Sequence, residues 1–276
     1  QKFEVKSGDL KLTSNISNSF SATVTEKQGN KLDVKGEYKN PAANIDHSTN
    51  KQTIEITNTY FDSGRLKTSE GHGVSISDDG RGNINKSIVT QNFDQQIILK
   101  LGQARLTETV TQSFTSNNKE QGSYDAPIAQ IDGSWNRQES RVSNTYDKEG
   151  RLLTSHGTGV SLSNDGFDNL TGGTVDQTFT VKTGKAFLTS NKTESFTVSL
   201  DPQDPTNLLK VIGTYEAPSQ DFDKSQSRQE VTLRYTYTDG GKLNVVDSSG
   251  FANSDDGFGN TSERKLVVSL INRTYI

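Results

Sequence analysis

Apolar residues recur at every second position through most of this chain. The clearest run is Val231, Leu233, Tyr235 and Tyr237, which alternate with Thr232, Arg234, Thr236 and Thr238. Such alternation places one apolar and one polar face on a strand of an antiparallel sheet. Asp239-Gly240-Gly241 supplies a turn, and Leu243 and Val245 open the return strand. Phe179, Val181, Phe187, Thr189 and Phe196 keep the same period around Thr183-Gly184, again a hairpin. No segment holds a period of 3.6 for more than two turns. The pattern predicts an all-β protein built from antiparallel meanders.

The alternation is organised in three copies. Val5-Lys6-Ser7-Gly8, Leu12-Thr13 and Ser19-Phe20 return as Leu101-Gly102, Leu106-Thr107 and Ser113-Phe114. They return again as Val181-Lys182-Thr183-Gly184, Leu188-Thr189 and Ser195-Phe196. A stretch of variable length follows: 18 residues from Phe20 to Tyr38, 10 from Phe114 to Tyr124 and 19 from Phe196 to Tyr215. Length change within one unit type marks solvent exposure, because surface loops absorb insertions at small entropic cost. Asp201-Pro202-Gln203-Asp204-Pro205 reads as such a loop.

Beyond that stretch the spacing becomes invariant. Gly36, Gly122 and Gly213 each open a block without insertions, with Pro41, Pro127 and Pro218, then Asp46, Asp132 and Asp223, then Gln52, Gln138 and Gln229, and Tyr60, Tyr146 and Tyr237. Each block closes on a glycine-bent acidic loop: Ser77-Asp78-Asp79-Gly80-Arg81-Gly82-Asn83, Ser163-Asn164-Asp165-Gly166-Phe167-Asp168-Asn169, and Ser254-Asp255-Asp256-Gly257-Phe258-Gly259-Asn260. These loops lie 86 and 91 residues apart. A constant frame is what antiparallel pairing demands, since a slip of one residue turns every inward side chain outward. The predicted units are residues 1–90, 91–176 and 177–276, forming an elongated sheet or an array of small β-units. Gln1-Lys2-Phe3 matches Gln91-Asn92-Phe93 and Gln177-Thr178-Phe179, and a fourth such strand would fall near Leu270. Residues 272–276 leave the pattern and read as a cap or an interface strand. A first residue that is glutamine suggests a processed or excised segment.

Composition narrows the core and the function classes. The usual apolar letters make up 29% of the 276 residues, well below the roughly 45–50% of an ordinary domain, so any core is thin or divided. Net charge is −4 with both signs interspersed, unlike the basic stripe that nucleic-acid binding needs. The chain has no cysteine, hence no disulfide framework, thiolate metal site or cysteine nucleophile. No apolar run approaches the roughly 18–20 residues of a helical membrane span, and no signal-peptide core is visible.

The turn Tyr146-Asp147-Lys148-Glu149-Gly150-Arg151-Leu152 resembles the Tyr-Asp-x-x-Gly-Arg-Leu signature of YD (Rhs-like) repeats. Tyr60 to Leu66 and Tyr235 to Leu243 are looser versions. The resemblance implies a large, exported, hairpin-rich bacterial repeat protein of the cell surface or extracellular space. Here the motif comes once per unit rather than in quick succession.

The acidic loops are the candidate cation sites. Asp78, Asp79 and Asn83, then Asn164, Asp165, Asp168 and Asn169, then Asp255, Asp256 and Asn260 offer hard oxygens of the kind calcium takes, in shells of about six to eight. One loop supplies too few, so Asp46, Asp132 and Asp223 are the expected additional ligands. The competing reading is a tight turn whose Asp and Asn cap their own backbone. His47, His72 and His156 do not recur between copies and lack metal-ligand spacing. Trp135, the one tryptophan, reads either as a sugar-stacking surface or as a half-buried strand residue. Sequons stand at Asn15, Asn85, Asn169, Asn191, Asn260 and Asn272. No nucleophile elbow, phosphate loop or zincin motif is present, and the prominent polar residues recur in all three units, whereas an active site is normally single.

These features point to a non-enzymatic structural segment of an extracellular fibre, adhesin stalk or matrix filament. Its expected partners are neighbouring repeats or further copies, joined through terminal strands. The alternative is a glycan-binding module of tail-fibre or lectin type, with surface glycans as ligand and Trp135 in the site.

Overall fold

The alternating segments become strands, and their lengths follow the spacing of the turn residues. A computed structural model of the protein describes residues 1–28, 31–204, 207, 210–221 and 223–271. The segment 272–276, including the Asn272 sequon, and Pro205 lie outside them.

Two compact units form, Gln1–Gln130 with Lys148–Gly150 and Ile131–Asp147 with Arg151–Ile276. In the first, six antiparallel strands lie side by side in the order β1 (Lys2–Lys6), β2 (Asp9–Phe20), β5 (Thr49–Tyr60), β6 (Leu66–Asp78), β7 (Ile84–Phe93) and β8 (Leu106–Ser116). Strands β3 (Thr23–Gln28) and β4 (Lys31–Lys35) form a separate two-stranded hairpin. The second unit runs in the order β9 (Trp135–Tyr146), β10 (Leu152–Asn164), β11 (Leu170–Lys182), β12 (Lys185–Leu200), β14 (Gln226–Tyr237), β15 (Leu243–Asp255) and β16 (Thr261–Ile271). The short β13 (Val211–Ile212) pairs with the end of β12. The all-β antiparallel meander expected from the alternation is the architecture found.

The repeat extends to its irregularities. The ladder skips one residue at Lys2/Phe3, at Asn92/Phe93 and at Thr178/Phe179. It skips again at Thr59/Tyr60, Leu152/Thr154 and Thr236/Tyr237. Bulges of this kind bend a strand and pin its register.

Two expectations require correction. Leu101-Gly102 is not a hairpin turn of the Gly8 and Gly184 type. Asp94 caps a helix, α1 (Gln95–Leu101), by accepting the Ile97 backbone N–H, and Gly102 ends it at φ 70°. Ile97 and Ile98 are buried, so an apolar turn of helix replaces a solvent hairpin between β7 and β8. The stretches of variable length are also more than exposed loop. The first makes the β3–β4 hairpin, and the third sends Val211 and Tyr215 back onto the sheet.

Burial is sparse and local. In the second unit Trp135, Leu162, Leu170, Phe196 and Val198 form one cluster, flanked by Leu200, Val211 and Tyr215. Gly172 leaves the room: a Cβ there would stand 2.9 Å from Val198 Cγ1 and 3.0 Å from Phe196 Cε2. In the first unit Ile84, Ile97, Ile98 and Phe114 are buried. Most other strand residues are half-buried or exposed. Among the described residues no helix is long and apolar enough to cross a membrane.

The glycine that opens each invariant block marks a close backbone crossing. Ala42, Ile128 and Ser219 donate their backbone N–H to the carbonyls of Ser21, Thr115 and Thr197 at 3.0, 3.0 and 2.9 Å. Gly36, Gly122 and Gly213 lie against these bonds at φ 113°, 96° and 111°. A Cβ on Gly213 would come within 2.9 Å of both Ser219 N and Thr197 O. Gly213→Ala should therefore cost about 2–3 kcal/mol in urea unfolding, against about 1 kcal/mol for Gly184→Ala, where φ is positive but nothing lies within 4 Å. Phe196→Ala should cost about 3–5 kcal/mol. Phe20→Ala, at the equivalent but 37% exposed position, should cost about 1 kcal/mol or less by the same measurement.

Candidate functional site

Each acidic loop joins the last two strands of its block, and each uses its side-chain oxygens on itself. Asp79 Oδ1 accepts the backbone N–H groups of Arg81 (2.8 Å) and Asn83 (3.1 Å), while Oδ2 accepts the Asn83 side-chain amide at 2.7 Å. Asp165 makes the same three bonds with Phe167 (2.8 Å) and Asn169 (3.3 and 2.8 Å). Asp256 repeats them with Phe258 (2.9 Å) and Asn260 (3.1 and 2.6 Å). One residue earlier, Asp78, Asn164 and Asp255 each accept the N–H of the glycine two positions on, at 2.8, 2.6 and 2.9 Å. The result is three copies of one self-capped turn.

Asp46, Asp132 and Asp223 lie on a second turn that abuts the first. Their Oδ1 atoms accept the N–H of Ser48, Ser134 and Ser225 at 3.0, 3.0 and 2.9 Å. The two turns touch through backbone. A Cβ on Gly80 or Gly257 would stand 2.5 or 2.6 Å from the carbonyl oxygen of Asp46 or Asp223, and one on Gly166 would press on that of Asp132. The structure thus brings together the sequence-predicted residues Asp78, Asp79, Asn83 with Asp46, Asn164, Asp165, Asn169 with Asp132, and Asp255, Asp256, Asn260 with Asp223. It joins them by turn hydrogen bonds and backbone contact. Among the described residues no group of three or more His, Asp or Glu side chains converges in a way that could hold a metal ion.

The electrostatics follow from these bonds. The Asp79 carboxyl is held below the usual carboxylate range first by the Arg81 N–H, and those of Asp165 and Asp256 first by the Asn169 and Asn260 amides. Hydrogen bonds from Ser48, Ser134 and Ser225 lower Asp46, Asp132 and Asp223 likewise. Elsewhere, Lys192 bridges Glu194 (2.6 Å) and Glu230 (3.0 Å), which together raise its pKa.

Trp135 is 8% exposed and enclosed by the cluster around Phe196, so it presents no ring face for a sugar. His47 occupies the Asp46 turn at φ 67°. His72 stands opposite Glu55 and Thr90 in the ladder, and His156 approaches Asp176 at 3.4 Å. The Tyr146–Leu152 motif is a turn whose letters have local duties. Arg151 donates its N–H to Asp147 Oδ1 at 2.8 Å and its Nε–H to Oδ2 at 2.7 Å, and Gly150 supplies φ 78°. In the looser copies the tyrosine hydroxyl crosses to the next strand. Tyr60 donates to the Leu12 carbonyl at 2.9 Å, and Tyr237 to that of Leu188 at 2.8 Å.

One feature escaped sequence reasoning. The paired turns carry apolar tips in the open: Ile45 is 100% exposed, Ile131 95%, Phe167 81% and Phe258 85%. The signal was present, since positions 45 and 131 are both isoleucine and positions 167 and 258 both phenylalanine.

No family model matches the chain. No curated protein matches it. Among solved structures, a porin-like protein from Bacteroides uniformis aligns over 95% of this chain and 98% of its own, at 12% identity and a TM-score of 0.12. At that level the likeness carries no structural or functional argument.

The lowered carboxyls have a readable pH signature. A group whose pKa falls on folding adds stability above its unfolded value and loses it as pH drops through the folded value. The triple variant Asp79→Asn, Asp165→Asn, Asp256→Asn should therefore melt lower than the parent at neutral pH. The gap should close as pH falls below about 4, the ordinary aspartate value. Thermal melts monitored by circular dichroism across that range check it, and a gap independent of pH would contradict the capping role.

Proposed function

We propose that the chain is a non-enzymatic structural repeat segment of a bacterial extracellular fibre, adhesin stalk or matrix filament. The observation that carries this reading is the threefold identity of its polar chemistry. The side chains that stand out in sequence are spent, copy after copy, on the same loop N–H groups and the same turn contacts. Repetition of that kind serves length and shape, because each added unit contributes the same increment of ladder and the same exposed edge loops. Catalysis asks instead for one constellation distinct from its surroundings. The likeness of Tyr146–Leu152 to YD repeats supports an exported bacterial setting. Thin units that keep polar residues on both sheet faces suit an environment where the protein extends into water rather than folding around a substrate.

The reading is tested in cells that make the protein. Antibodies raised against the folded chain should label intact cells or their extracellular matrix. Brief surface proteolysis should remove the label. Recovery of the protein only from the cell interior would overturn the assignment.

A further inference from the structure

The third block departs from its two predecessors at one place on the sheet. On one face of β14, β15 and β16, three cross-strand rows lie side by side: Val231–Gly250–Leu266, Gln229–Ala252–Arg264 and Ser227–Ser254–Ser262. The middle residue of each row is small, so β15 forms the floor of a trough whose walls are β14 and β16. The earlier blocks build a similar floor. Their first row is Ile54–Gly73–Val89 or Ser140–Gly159–Val175, and their second is Gln52–Ser75–Ser87 or Gln138–Ser161–Gly173. Among the three blocks, the third alone has alanine in the middle of the second row and arginine at its end.

Two adjoining hollows of about 260 and 230 Å³ lie along this trough and share Gln229, Ala252 and Arg264. Ser195, Ser227, Ser254 and Ser262 give the first its hydroxyl lining, while Val231, Gly250 and Leu266 make the second apolar. No acidic residue lines the first hollow. Arg228 borders it too, but its guanidinium is turned to the Tyr215 and Glu216 carbonyls. Glu230, beside the second hollow, alternates onto the opposite sheet face and is held there by Lys192 at 3.0 Å. Among the described residues, no hydrogen bond or ion pair engages the side chains of Gln229, Ser254, Ser262 or Arg264. The polar groups of the turns are spent on their own backbone; these are not.

A planar guanidinium holds a carboxylate or a sulfate through paired N–H bonds. Hydroxyl and amide side chains suit a ring rich in hydroxyls, and an apolar floor suits the C–H face of such a ring. A bare inorganic anion would use the arginine and leave the apolar half empty. A fatty acid would leave the hydroxyl half without partners. An acidic saccharide uses both. We infer that the trough over β15 binds an acidic saccharide, with its carboxylate or sulfate on Arg264, its hydroxyls on Gln229, Ser254 and Ser262, and a ring face over Gly250 and Ala252. Each hollow is smaller than the roughly 300–1,000 Å³ of pockets that enclose drug-sized ligands. Each therefore takes one sugar unit, and the two together take neighbouring units of a chain. The site is separate from Trp135 and goes beyond the structural-segment reading.

The experiment titrates the full chain with methyl glucuronide, glucose 6-sulfate, methyl glucoside and inorganic sulfate, followed by amide shifts in NMR and by calorimetry. Binding of single sugars should be weak, in the millimolar range, because the trough is open and its charge is solvated. An acidic sugar should shift the amides of Gly250, Ala252 and Arg264 and bind several-fold tighter than methyl glucoside or inorganic sulfate. Whether the glucuronide or the sulfated sugar binds tighter tells which acidic group the arginine prefers. Arg264→Ser, matching Ser87 of the first block, should reduce both acidic sugars to the level of the neutral one with unchanged circular dichroism. Ala252→Leu, which fills the floor, should block acidic and neutral sugars alike. Equal affinity for acidic and neutral sugars, inorganic sulfate bound as tightly as the acidic sugars, or an Arg264→Ser chain that binds like the parent would overturn the site. Surface labelling of cells by the antibody does not depend on this trough, so the two readings fail separately.

Discussion

The structure depends on holding strand register with little core to help. In most antiparallel sheets a buried face punishes a slip, since moving one residue carries the apolar set into water. Here most described strand residues meet solvent, and among the described residues the buried apolar clusters lie near strand ends. The penalty must come from the turns. Each block supplies it twice, once where a glycine lets two backbones cross beside a recurring hydrogen bond at Ala42, Ile128 or Ser219, and once where a self-capped acidic loop presses its glycine onto the Asp46-type turn. Both clamps sit at one end of the strands, and toward the other end the bulges recur at fixed positions. A strand pinned at one end and bent near the other has one register available.

Much of this was legible in the sequence because turn chemistry is local. The invariant block could be found from spacing alone, and the Asp, Gly and Asn letters of its closing loop map directly onto donors and acceptors. What remained illegible was decided by neighbours distant in the chain. Phe20, Phe114 and Phe196 occupy one frame, yet Phe114 is 1% exposed and Phe20 37%. Their fate depends on what crosses beside them: Ile128 returns to the Thr115 carbonyl next to Phe114, whereas the smaller Ala42 returns to Ser21 next to Phe20. Leu101-Gly102 resembled a hairpin turn because the same two residue types also end a helix. Trp135 had no counterpart to compare, and only the packing of Phe196 and Val198 around it shows why a large ring stands there.

The candidate site changes character in the same way. Acidic residues on a glycine-bent loop answer to two descriptions in sequence, a set of backbone caps and a ligand set. The distances show the first. Oxygens that already accept N–H groups between 2.6 and 3.3 Å from their own loop are acting as caps, and the capping pattern repeats at all three copies. The polar chemistry of the protein is thus mostly directed inward, at its own backbone. What faces outward is a series of loop tips bearing isoleucine or phenylalanine.

The scarcity of buried apolar area also has a thermal consequence. The heat-capacity change of unfolding grows with apolar surface exposed and falls with polar surface exposed. A chain whose ladders are clamped by turns, and whose core in the second unit amounts to five buried side chains, exposes comparatively little new apolar surface when it unfolds. Its stability curve is accordingly broad and shallow. Such a protein changes little in stability between cold and warm surroundings.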